Sequence, residues 1–298
     1  MESNLYPAPY SYFEIKRTIR KLCAKYPFLE VKCLAKSAAG REIFSISVGS
    51  EEENVLFVTG DDPAAPTLTL IMLKFCEEIC KSILKGKELC GLDMRKALFG
   101  RKITFIPLLN PDGAEIRRTG ETSAPLYFEK ECTYKPADCH NWRSNLRGVE
   151  ICRNFSYDFE RRRREERLKG IRHPSPSGFS GYTAESEAET IGLCKFCREN
   201  DINHLIHLST FGQTVSYSEL ESEPKKAPKM AEIISAVSEY SICPPFAKAD
   251  SYITDWFTYE FSRPALCIKV GKDGVPNQNE TEKYFSDLKE ALTLSLLF

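Results

Sequence analysis

The chain has 298 residues, 42% of them hydrophobic, and carries 41 lysines and arginines against 42 aspartates and glutamates. That length supports one large α/β core or two small ones. The balanced charge excludes the strong single-sign field with which proteins gather on nucleic acid or an acidic membrane, and no apolar run reaches spanning length. From the start, Tyr10 to Tyr26 reads as an amphipathic helix, and EVKCLAKSAAGREIFSISVGS as two strands joined by a turn at Ala39-Gly40. Asn54–Gly60, NVLFVTG, is a short apolar run rich in β-branched residues and predicts a buried strand. A long helix follows over LTLIMLKFCEEICKSIL. RKITFIPLLNPDG gives a second buried strand ending in a turn, INHLIHLS around Asn203–Ser209 a central strand, and PALCIKVG, Pro264–Gly271, another. TEKYFSDLKEALTLSLLF reads as a closing helix.

Strands alternate with helices over most of the length, which predicts a mixed or mostly parallel sheet covered on both faces. Ligand sites in such sheets lie beyond the carboxyl ends of the strands, so the loops after Gly60, Leu109, Leu208 and Val270 are where chemistry is expected. Thr119–Gly181 is polar and poorly periodic. Within it Glu160–Gly170, ERRRREERLKG, interleaves acids with its arginines and reads as a solvated helix or loop rather than a nucleic-acid patch. The N-terminal MESNLYPAPYSYFEIKRTIRK has no apolar core of a secretory leader, so a cytoplasmic location and free thiols are expected for the twelve cysteines. Cys194 and Cys197, and Cys76 and Cys80, fall in helix-like segments and read as buried thiols.

Taken together, SAAGREIFSISVG, VLFVTG before a loop and a long helix, FIPLLNPDG, NWRSNLRGVEICRNF, the helix start SEAET, and TDWFTYEFSRPALCIKVG resemble, in order, the carboxypeptidase A-like family of zinc peptidases. Within it they resemble most the bacterial γ-D-glutamyl-L-diamino acid endopeptidases, which cut peptidoglycan stem peptides. The resemblance implies a single domain over residues 1–298, an α/β fold with a twisted mixed sheet of about eight strands flanked by helices (the zinc-carboxypeptidase, or phosphorylase/hydrolase-like, fold). It also implies a metal held by a His and a Glu from one loop and a second His from a distant strand, with one position open for water. A Glu on a late strand would be the general base, and arginines would hold the oxyanion and a substrate carboxylate.

Carried onto this chain, that set is degenerate. The first His falls on Asp62 and the Glu on Ala65, which has no donor atom. The third ligand falls on Ser209 if the endopeptidase branch is the guide, and on His207 if carboxypeptidase A is; both point to the same face of one strand. The base falls on Lys269. An ammonium has no lone pair to accept a proton, and at ~4 Å from a dication, with an effective dielectric near ~20, it is repelled by ~8 kcal/mol. Arg143 matches the oxyanion-stabilising Arg and Arg153 the carboxylate-binding Arg, with Cys152 where the family has Asn; Arg147 and Asn154 are the flanking matches. His140 and His173 lie in loops and read as non-ligands; His204 could pair with His207, although the register of INHLIHL puts one residue near the start of the strand.

The sequence therefore predicts a pseudopeptidase with no zinc expected, keeping a cleft for a peptide or carboxylate ligand, and with neither nucleic acid nor membrane as partner. An active metallopeptidase with an unusual zinc site on Asp61, Asp62 and His207 is the first alternative, and an interaction scaffold the second. A salt bridge from Lys269 to Asp62, or to Asp61, is expected in place of the metal.

Overall fold

The computed structural model describes residues 11–49, 53–120, 139, 141–210, 212–218, 226–243, 252–271 and 278–298. Its strands are β1 (Glu30–Lys36), β2 (Glu42–Gly49), β3 (Glu53–Val58), β4 (Arg101–Ile106), β5 (Ile202–Thr210), β6 (Thr214–Tyr217), β7 (Ser241–Ile242) and β8 (Ala265–Val270). They form one sheet of eight strands in the order β1-β2-β4-β3-β5-β8-β6-β7. The four apolar runs singled out in the sequence are its middle, β4-β3-β5-β8, all parallel. Buried on both faces, such strands carry no alternation, which is why they read as continuous apolar runs. The antiparallel β1–β2 hairpin extends one side through β2–β4, and β6 pairs antiparallel with β8 on the other.

The helices are α1 (Tyr12–Lys25), α2 (Pro66–Lys85), α3 (Met94–Ala97), α4 (Pro111–Thr119), α5 (Phe159–Leu168), α6 (Ala188–Glu199), α7 (Lys226–Ser238), α8 (Tyr252–Phe261) and α9 (Thr281–Leu294). Helices α1, α2, α7 and α9 bury Leu22, Leu73, Ile234 and Leu292 against one face of the sheet. Helices α6 and α8, with the single turn Ile151–Arg153, bury Leu193, Trp256 and Ile151 against the other. Along β8, Leu266, Ile268 and Val270 pack on the first face, so Cys267 and Lys269 turn to the second. Among the described residues no helix is long and apolar enough to cross a membrane.

Helix α5 departs from the sequence reading. It is solvated on one side only: Arg162, Arg163 and Glu166 are buried. Arg162 donates to the carbonyls of Arg153, Phe155 and Tyr157, and Arg163 pairs with Glu166 at 2.7 Å. An arginine fork satisfied by backbone carbonyls and one carboxylate is tolerated inside a protein, and no hydrophobic period announces it. The buried thiols agree with expectation: Cys76, Cys80, Cys194 and Cys197 are free and buried.

Two short motifs build the framework around the carboxyl ends of the strands. Asn110 caps α4 by accepting the Gly113 N–H at 2.9 Å, and its amide donates to the Asp61 carbonyl. Asp112, fully buried, accepts from the Ser37 hydroxyl, the Ala39 N–H and the Arg41 guanidinium at 2.6–2.9 Å. LNPDG thus clamps the SAAGRE turn, and both segments serve the framework. Gly60 has φ +73°, and a Cβ there would stand 2.8 Å from the Leu108 Cα, so the β3 strand can turn into its loop only with glycine.

Candidate functional site

Three parallel strands end at one place. From β3 the chain runs through Gly60 into Asp61 and Asp62; β5 ends in Ser209 and Thr210; β8 brings Lys269 directly across from Ser209. The segment Arg143–Arg153 and the turn Ser177-Gly178 form the opposite wall. The resulting cleft has a volume of about 310 Å³ and is lined by Asp61, Asp62, Arg143, Glu150, Arg153 and Lys269 together with Cys152, Ser177, Gly178, Ser209 and Thr210. This is the position that an open α/β sheet offers to a ligand. The loops after Gly60 and Leu208 serve it; that after Leu109 instead carries the Asn110 and Asp112 clamps, and that after Val270 lies, beyond Gly271, outside the described residues.

The carboxylates in the cleft are each paired with a cation. His207 Nε2 lies 2.8 Å from Asp61 Oδ1, with the two side chains only 1% and 4% exposed. Burial works against the charge on both, but each outweighs it for the other: the imidazole is held well above the usual histidine range and the Asp61 carboxyl below its own. Asp62 accepts from Arg143 Nη2 at 2.8 Å, the Thr210 hydroxyl at 3.1 Å and the Ala64 N–H at 2.9 Å. Burial disfavours the Arg143 charge, yet Asp62 and Glu150 together raise its pKa further. Glu150 sits 3.5 Å from Arg153 and 3.9 Å from Arg143, and takes the Gly178 N–H. Burial, and then Glu150, push the Cys152 thiol well up, which disfavours a reactive thiolate.

The expected bridge from Lys269 to Asp62 or Asp61 is not present. Arg143 reaches Asp62 from the facing wall and His207 reaches Asp61 from β5, so both carboxylates are taken. Lys269 stands half-buried beside Ser209 and Thr214, its register neighbours on β5 and β6. Arg143 and Arg153 do share the cleft with Asp62 and Lys269. Arg147 and Asn154 do not line it. Arg147 is turned toward Glu187, 3.7 Å away. Asn154 is fully buried, its amide donating to Ser180, Thr183 and Ser186 and its carbonyl accepting from the Ser186 and Glu187 N–H groups.

His204 is buried on the other side of the strand against the Ser295 carbonyl, and burial pulls its pKa down to about 4. His173 is exposed near the Tyr182 hydroxyl, and His140 lies outside the described residues. Glu150 and Thr210 were not anticipated. Glu150 had one legible signal, its placement three residues before Arg153, the spacing of a one-turn ion pair.

A charged cleft over the carboxyl ends of a parallel sheet core, flanked by helices on both faces, is the ligand-binding arrangement of an open α/β fold. Residues 15–290 match the profile of the zinc carboxypeptidase family, and the chain belongs to that family. It is 22% identical over 271 residues to γ-D-glutamyl-L-diamino acid endopeptidase 1 of Lysinibacillus sphaericus, covering 90% of this chain and 67% of that protein. Among solved structures it superposes on thrombin-activatable fibrinolysis inhibitor (TM-score 0.73, 15% identity, 96% of this chain and 73% of that one). It also superposes on carboxypeptidase A of Helicoverpa armigera (TM-score 0.69, 15% identity, 96% and 72%). At these identities the structural likeness concerns the fold.

The family implies zinc, and the side chains present do not fit it. Ala65 offers no donor, Asp61 is bound to His207, and Asp62 has both oxygens engaged by Arg143, Thr210 and the Ala64 amide. Among the described residues no group of three His, Cys, Asp or Glu side chains is arranged to hold a metal.

Proposed function

We propose that this chain is a non-catalytic member of the zinc carboxypeptidase family, a pseudopeptidase whose cleft binds a peptide through a carboxylate. The observation that carries the reading is the pairing of Asp61 with His207 and of Asp62 with Arg143 where the family would gather metal ligands. Each carboxylate that would turn toward a cation already has one supplied by the protein. The late-strand position of the base holds Lys269, an ammonium that accepts no proton. Arg143, with 41% of its side chain exposed, keeps a guanidinium at the cleft surface, where its positive charge favours an anionic ligand. The endopeptidase of Lysinibacillus sphaericus suggests the ligand class, a γ-D-glutamyl peptide.

The test is metal analysis of the purified protein together with hydrolysis assays on a γ-D-glutamyl-L-diamino acid peptide and on peptides with a free C-terminus. Substoichiometric zinc and rates at background are expected. About one zinc per chain, with a hydrolytic rate that chelation removes, overturns the proposal.

A further inference from the structure

Among the described residues, the cleft contains one basic group more than its carboxylates use. Asp61 has His207 at 2.8 Å, Asp62 has Arg143 at 2.8 Å, and Glu150 has Arg153 at 3.5 Å. Lys269 lines the same cleft and, among the described residues, is paired with none of these three carboxylates. It projects from β8, the parallel neighbour of β5, with Ser209 opposite it in register, so the two side chains leave the sheet on the same face. Ser209 is itself half-buried and lines the cleft. A partly desolvated ammonium beside a hydroxyl is a two-point donor set: one N⁺–H and one O–H, spaced as neighbours on adjacent strands.

We propose that Lys269 and Ser209 form an anion subsite that takes a carboxylate of the bound peptide. One carboxylate oxygen accepts from the Lys269 ammonium and the other from the Ser209 hydroxyl. The ligand's charged end then sits where the resemblance places the general base, rather than on the arginines of the opposite wall. The three carboxylates around the cleft select the class of anion. A phosphate dianion would share the cleft with Asp61, Asp62 and Glu150, whereas a single negative charge is matched by the one cation that these carboxylates leave over among the described residues. The volume of about 310 Å³ is at the lower end of ligand pockets, room for a short peptide end.

This assignment rests on the reading of the cleft as a binding site, and the experiment separates the two. Calorimetry is run with γ-D-glutamyl-L-lysine and with the same dipeptide amidated at both carboxyls, on wild type, Lys269→Gln, Lys269→Arg and Ser209→Ala. The 13Cε resonance of Lys269, assigned by its absence in Lys269→Arg, is followed in parallel. Wild type is expected to bind the free acid at least about tenfold more tightly than the amide, the worth of one charge-assisted hydrogen bond. Lys269→Gln should erase that preference, Lys269→Arg restore most of it, and Ser209→Ala weaken the free acid about threefold. The Lys269 resonance should shift with the acid and not with the amide. If the dipeptide binds and Lys269→Gln matches wild type, the subsite is overturned while the binding cleft stands. If neither form binds wild type at millimolar concentration, the binding cleft and its subsite fall together. Thermal melts of the variants confirm that each is folded.

Discussion

The clamp around Asp112 and the cleft around Asp61 and Asp62 are both built from carboxylates buried just past the ends of adjacent parallel strands, β4 and β3. Their partners differ in kind. Asp112 is satisfied by one compact turn: Ser37, Ala39 and Arg41 all donate to it, so a single carboxylate fixes the hairpin to α4. Asp61 and Asp62 instead draw on separate segments: His207 and Thr210 from β5, 146 and 148 residues away, and Arg143 from the facing wall, 81 away. The clamp has no part in the chemistry of the cleft. The framework beside the sheet and the walls of the cleft are thus held by separate sets of ions.

The comparison breaks most sharply at the buried pair. Asp61→Ala leaves His207 without its carboxylate in a position 1% exposed, and should cost about 3–5 kcal/mol in denaturant unfolding. Its pH signature has a definite sign. His207 is raised, so its contribution is full below the unfolded value of about 6.5 and is lost as pH climbs through the higher folded value. Asp61 is lowered, so its contribution is present above about pH 3.9 and is lost as pH falls toward the lower folded value. Wild type should therefore lose stability as pH rises above about 6.5, a slope that Asp61→Ala flattens. An unchanged slope in the variant would mean that the pair is not ionised.

Much of this arrangement was legible in the sequence, and its limits have physical causes. The interior strands were visible because burial on both faces demands apolar, β-branched residues such as those of Asn54–Val58 and Ala265–Ile268. The convergence of Asp62, Arg143, Arg153 and Lys269 was implied by the family resemblance of the motifs that carry them. Which cation meets which carboxylate did not follow, because several were within the same neighbourhood. Lys269 lost Asp62 to an arginine that approaches from the facing wall with a planar fork, a choice made by tertiary geometry. Arg162 and Arg163 were hidden for a different reason: a burial satisfied by backbone carbonyls leaves no periodic signal.

Breaking the clamp is the next largest effect. Asp112→Ala strands the Arg41 guanidinium and two further donors, and should cost about 3 kcal/mol, read as a lower denaturation midpoint with the 13C resonances of the cleft side chains little changed. A loss as large as that of Asp61→Ala accompanied by disruption of the cleft would show that the two regions are one unit. The smallest effect sharpens the contrast from the other side. With no ligand present, Lys269→Gln should alter stability by no more than about 0.5 kcal/mol, since among the described residues the half-buried ammonium is paired with no carboxylate. A cost above about 2 kcal/mol would place Lys269 among the structural ions.

The place of β8 in the sheet has a consequence for how the protein is made. Residues 265–270 slot between β5 and β6, although both of those strands precede them in the chain. While the polypeptide is being synthesised, β5 is an open edge and the antiparallel partner of β6 has yet to appear. Unpaired edges of this kind attract other strands, and the nascent chain must hold that gap until the ribosome has released Val270. The cleft is completed in the same event, because Lys269 arrives on the strand that closes the sheet.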